Sequence, residues 1–248
     1  MISSFQQLFR RLVLSPLSIV FIGILSGCGG GGGGGGVSIS SLDGTWSGTI
    51  EDPHGNMFPY QVTIVSGSII ESVVNGMITG TTGTIIKEFS SDVVFSVVLA
   101  GGVEAGFIVD SAARYAVFVD ENFNFGVVQK GAGSLPGFLI TDIDGNLNGL
   151  IVETSDLSAN GFVEQSSSGS CTGLICTGTS SNGVTSTVNF DGVFDSMFGR
   201  WEGDYTNSAG GSGDVTLLMS TDKKFVGAYA CDYTSTFPVG CDFSAWVK

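Results

Sequence analysis

The chain has 248 residues and five cysteines, and its nine Lys plus Arg face 23 Asp plus Glu, a formal net charge of −14. So few cations exclude a nucleic-acid partner, whose phosphates need positive contacts. They also exclude electrostatic docking on anionic lipid; charge this far from zero keeps a protein dispersed.

In chain order, Arg10 and Arg11 come first, then an apolar run from Leu12 to Ile24, then Leu25-Ser26-Gly27-Cys28. A positive flank, an apolar stretch and small residues make up a secretory signal. The run is too short to span a bilayer, which takes roughly 20 apolar residues, and Pro16 interrupts it. Leu-Ser-Gly-Cys resembles the lipobox of bacterial lipoproteins. That resemblance implies a signal peptide over 1–27, cleavage before Cys28, a diacylglycerol on its sulfur and a fatty acyl group such as palmitate on the new amino terminus. Two or more acyl chains anchor stably where one binds marginally. Gly29, rather than aspartate, follows the cysteine, and the resemblance then implies the outer membrane. Losing Arg10 and Arg11 removes two positive charges and takes −14 to about −16.

Glycines 29 to 36 follow without a break. With no side chain to bury, they form the flexible part of a tether over 28–41. Fully extended they reach roughly 26–29 Å at ~3.3–3.6 Å per residue.

Beyond the tether, short runs rich in Val, Ile, Thr, Phe and Tyr alternate with turn residues, as in Tyr60–Val65, Val93–Val98, Tyr115–Val119 and Phe123–Val128. This pattern predicts an all-β chain, an antiparallel meander forming a barrel or a sandwich. The expected division is a β domain over 42–165, a Ser/Thr/Gly-rich loop or linker over 166–183, and a C-terminal β unit over 184–248. An internal repeat supports two units. Gly44-Thr45-Trp46-Ser47-Gly48 leads to Val62-Thr63-Ile64, and Gly199-Arg200-Trp201-Glu202-Gly203 leads to Val215-Thr216-Leu217. Gly44 and Trp46 on a first strand resemble lipocalins and other calycins, β-barrels that bind small ligands and close one end with that tryptophan. The arginine that packs across the tryptophan in that family, and the family's C-terminal helix, have no counterpart in the sequence.

Export makes disulfides available. Without Cys28, four cysteines remain, which allows three pairings. Cys171–Cys176 with Cys231–Cys241 is favoured, because short loops close easily. No C-x-x-C pair marks a zinc site.

Candidate chemistry is sparse. Asp142, Asp144, Asn146, Asn148 and Glu153 follow an EF-hand-like calcium spacing, but Leu147 stands where that loop needs glycine. His54, the sole histidine, lies in turn composition and has no nucleophile elbow to serve. Adjacent acids such as Glu51 and Asp52 point to opposite faces of a strand. Trp46, Trp201 and Trp246 read as core. The expectations are therefore no catalytic residue, no cofactor, and a membrane contact through the lipid on Cys28. The protein reads as an envelope lipoprotein whose β domain binds a partner or has a structural role. A hollow barrel would favour a calycin-like carrier of a small apolar ligand. A cleft with converging acids would favour a glycan hydrolase.

Overall fold

The computed structural model describes residues 36–87, 91–99, 104–120, 122, 124–131, 133–153, 163–232 and 241–248. The lipobox, Cys28 and most of the glycine tract lie outside them.

Val37 enters beside a 3-10 turn, Ile39–Leu42, whose Ser38 side chain caps it by accepting from Ser41 N–H. Nine strands follow: β1 (Gly44–Glu51), β2 (Met57–Val65), β3 (Ser68–Val74), β4 (Met77–Ile78), β5 (Gly83–Lys87), β6 (Val94–Leu99), β7 (Glu104–Val109), β8 (Tyr115–Asp120) and β9 (Phe125–Lys130). Each pairs antiparallel with its neighbours and β9 returns to β1, so eight strands close a barrel, with the short β4 appended to β3. A second 3-10 turn, Ile140–Ile143, opens the same design again. Its strands are β10 (Gly145–Glu153), β11 (Val163–Thr172), β12 (Ile175–Ser180), β13 (Thr185–Asn189), β14 (Phe194–Asp195), β15 (Arg200–Asn207), β16 (Ser212–Met219), β17 (Phe225–Asp232) and β18 (Cys241–Val247). Here β18 closes on β10, and β14 is the appended strand. The all-β expectation therefore resolves into two eight-stranded meander barrels.

Two of the expected boundaries are corrected. The stretch 166–183 is no linker: it is most of the β11–β12 hairpin. Its inward residues are small or polar, including Ser167, Gly169, Cys171 and Gly178, and so show no hydrophobic alternation. The space they leave is taken by a large neighbour, with Trp246 Cη2 reaching 3.9 Å from where a Cβ on Gly178 would stand. The second unit accordingly begins near 140 rather than at 184.

The repeat is also re-registered. The segment Ile39-Ser40-Ser41-Leu42-Asp43-Gly44-Thr45-Trp46-Ser47-Gly48 matches Ile140-Thr141-Asp142-Ile143-Asp144-Gly145-Asn146-Leu147-Asn148-Gly149 in place and shape. Gly44 and Gly145 share a positive φ of 131° and 130°. A Cβ on Gly48 would lie 1.9 Å from Val127 O, and one on Gly149 2.1 Å from Ala245 O. Both glycines let the first strand of a barrel press against the last. Lys130 and Lys248, ending the last strands, each donate into the 3-10 turn, to Ser41 O at 2.7 Å and Asp142 O at 2.6 Å. Trp201 is on the fifth wall strand of its barrel, so it is not the counterpart of Trp46. Both indoles are nonetheless buried, at 1% and 2% exposure. Both donate to a 3-10 turn, Trp46 to Leu42 O at 2.7 Å and Trp201 to Ile140 O at 3.3 Å.

The barrels pack wall to wall. Outward residues of β8 and β9, including Tyr115, Val117, Phe125 and Val127, form one apolar cluster with Leu218, Phe225, Phe243 and Ala245 of the second barrel. Tyr115 stacks on Phe225 with ring centres 5.1 Å apart, and its hydroxyl donates to Asp222 at 2.6 Å. Burial first, and then Asp222, push the Tyr115 phenol well above its ordinary pKa. Gly227 leaves room for Val117 and Val127, which a Cβ there would strike.

Candidate ligand-binding site

Inside the second barrel, Trp201, Phe190, Met219, Leu217, Val226 and their neighbours form a buried core. The first contains a cavity of about 340 Å³, at the lower end of the ~300–1,000 Å³ range of small-molecule sites. Alternation along each strand builds it. Trp46 and Ile50 of β1, Tyr60, Val62 and Ile64 of β2, and Phe107 of β7 point inward. Ala105 and Ala116, also inward, are too small to fill the centre.

One end is shut. Trp46 lies there over Leu42, and the Lys130 ammonium stands 5.8 Å from the indole centre. A lysine from the last strand thus lies across the indole at the plugged end. The other end is a mouth of hydroxyls, amides and one acid: Ser72, Thr79, Thr81, Asp120, Asn122 and Asn124. Below it Tyr60 packs on Phe118 with ring centres 5.1 Å apart. Burial above all, with a smaller contribution from Asp120, pushes the Tyr60 phenol up to about 12.

The rim loops are held by a shared device. Asp120 Oδ1 accepts from the N–H groups of Asn122 and Asn124, and its Oδ2 from Asn124 Nδ2 at 2.8 Å. Asp52 makes the same clasp on His54 N–H, Asn56 N–H and Asn56 Nδ2 in the β1–β2 loop. These bonds, that from the Asn56 side chain largest among them, hold the Asp52 carboxyl below the usual range. His54 is exposed in this loop and does not line the cavity.

Where the barrels meet near this end, Glu51 of β1 reaches Arg200 of β15 at 2.5 Å, with both side chains buried. Arg200 also contacts Glu202. Burial dominates at Glu51 and raises its pKa, although Arg200 opposes the shift. Sequence reasoning missed this pair. The two residues are far apart in the chain, and nothing local marks either as a partner.

The calcium spacing does not converge. Asp142 accepts from Leu139 N–H and pairs with Lys223 at 2.7 Å. Burial works against its charge, yet those partners outweigh it and lower its pKa. Asn146 and Asn148 are exposed on β10, Asp144 ends the turn, and the Glu153 side chain lies outside the described residues. Among the described residues no three His, Cys, Asp or Glu gather as a metal site. Cys171 and Cys176 are bonded, directly across the β11–β12 ladder. Cys231 is disulfide-bonded too and faces Cys241 in the β17–β18 register.

No protein family and no curated protein matches the chain. Two solved structures resemble it in outline. A transferrin binding protein B from Haemophilus parasuis Hp5 is 9% identical, with a TM-score of 0.36 over 81% of this chain and 44% of that one. The chain therefore spans less than half the length of that protein. A DUF3598-family protein of unknown function from Nostoc punctiforme PCC 73102 is 11% identical, with a TM-score of 0.35 over 85% of this chain and 98% of that one.

Proposed function

We propose that this is a non-catalytic binding lipoprotein of the bacterial envelope, held in the outer membrane through lipid on Cys28, whose first barrel receives a small and mainly apolar ligand. One observation carries the binding role: the first barrel encloses a cavity of about 340 Å³ with aliphatic and aromatic walls. Protein interiors are ordinarily close-packed, so a space of this size is one a small apolar ligand would fill. The lipobox supports the anchor. The acids of the site do not converge on the cavity as a pair, so the hydrolase alternative gains no support.

The test uses the mature chain, 28–248, with Cys28→Ser, and N-phenyl-1-naphthylamine as an environment-sensitive apolar probe. Saturable fluorescence enhancement is expected. Ala116→Trp places an indole in the cavity and should abolish the enhancement while leaving the melting temperature within a few degrees. Enhancement that survives Ala116→Trp at full amplitude places the probe elsewhere and overturns the reading.

A further inference from the structure

Among the described residues that line the cavity, Asp120 is the only charged side chain, and none is Lys, Arg or His. Arg200, beside the β1–β2 loop, is paired with Glu51 and Glu202 and is not among them. The Lys and Arg side chains of the first barrel gather at the shut end: Lys87 on Asp92, Arg114 on Asp110, and Lys130 on Ser41 O. Residues 88–90, 100–103, 121, 123 and 132, which lie outside the described ones, include no Lys, Arg or His.

We infer, on the binding role proposed above, that the ligand is an amphiphile with a neutral or cationic head, a hydroxyl, amide or amine, and that carboxylate heads are rejected. An apolar body fills the lower cavity and leaves its head among Ser72, Thr79, Thr81, Asn122, Asn124 and Asp120. Hydroxyls and amides there both donate and accept. An amine meets the Asp120 carboxylate. A fatty-acid anion would lose its water in a site with no cation among its described lining residues and with a like charge at the entrance.

Dodecanol, dodecylamine and dodecanoate share one chain and differ only at the head. Each is titrated as a competitor against bound N-phenyl-1-naphthylamine on the Cys28→Ser mature chain at pH 8. Dodecanol and dodecylamine should displace the probe, with dodecanoate at least about tenfold weaker, a gap of about 1.4 kcal/mol. Asp120→Asn should narrow the dodecanoate gap severalfold and weaken dodecylamine by a similar factor. An Asn can hold such a loop, because Asn207 Oδ1 accepts from Ala209 and Gly211 N–H in the β15–β16 hairpin. If dodecanoate competes as well as dodecanol, or if Asp120→Asn changes neither ratio, the head-group inference falls while the cavity stands. If the probe itself does not bind, the binding role falls with it.

Discussion

Glu51 and Arg200 take opposite charges into a place that water barely reaches, with side-chain exposures of 5% and 10%. Desolvation of such ions is expensive and is offset only by close pairing. Here the pairing is incomplete: Glu51 Oε2, Arg200 Nε and the neighbouring Thr49 Oγ1 have no hydrogen-bond partner among the described residues. Removing one partner leaves a buried charge alone, so Arg200→Ala should cost about 3–5 kcal/mol. The pH dependence has a definite sign. Burial raises the folded pKa of Glu51 above its ordinary value of 4.5, so the folded state binds this proton more tightly than the unfolded one. Stability from this group is therefore full below pH 4.5 and is lost as pH rises through the folded value. Glutamine does not titrate. The melting temperature of Glu51→Gln relative to the native protein should thus move upward between pH 4 and pH 7. A difference that moves downward would mean that Arg200, and not burial, governs this carboxylate.

At the scale of the strand, closure rests on two glycines. Gly48 and Gly149 sit where the first and last strands of each barrel touch, too close for any side chain. Gly48→Ala and Gly149→Ala should each cost about 1–3 kcal/mol through forced backbone shifts. Gly178→Ala is the contrast: its added methyl would meet nothing closer than 3.4 Å, so its change should stay within about 0.5 kcal/mol. Thermal denaturation of the three variants separates the positions. Legibility in the sequence follows the same physics. Strands with apolar alternation, such as Tyr60–Val65 and Tyr115–Val119, announce themselves because one face is buried. The β11–β12 hairpin does not, since its glycines and serines depend on the distant Trp246 for their cover. Gly-x-Trp marked both 44–46 and 199–201, but only the first begins a barrel. The true partner of the first block, 140–149, was hidden because Leu147 stands where Trp46 does. Of the cavity mouth, only the turn composition around His54 is legible in the sequence, and not a mouth. Only closure of the ladder brings Ser72, Thr79 and Asp120 to one opening.

Across the whole molecule, the two barrels are one packed body. Tyr115, Phe125 and Val127 bury their side chains in the second barrel as fully as core residues do. The second barrel thereby braces the wall of the first on the side of β8 and β9. The proposed anchor is tested directly. In cells labelled with radioactive palmitate, the native chain should carry label and sediment with membranes. Cys28→Ala should lose the label and leave the membrane fraction; label retained by that variant would remove the lipobox reading. The point of attachment also has a side. Chain entry at Gly36 and Val37 is tied to Asp92 O by Val37 N–H, beside the plugged end and opposite the rim loops. In the proposed lipid-anchored protein the tether would join at the plugged end, leaving the mouth at the far end of the barrel, and the eight glycines would let that mouth turn in any direction.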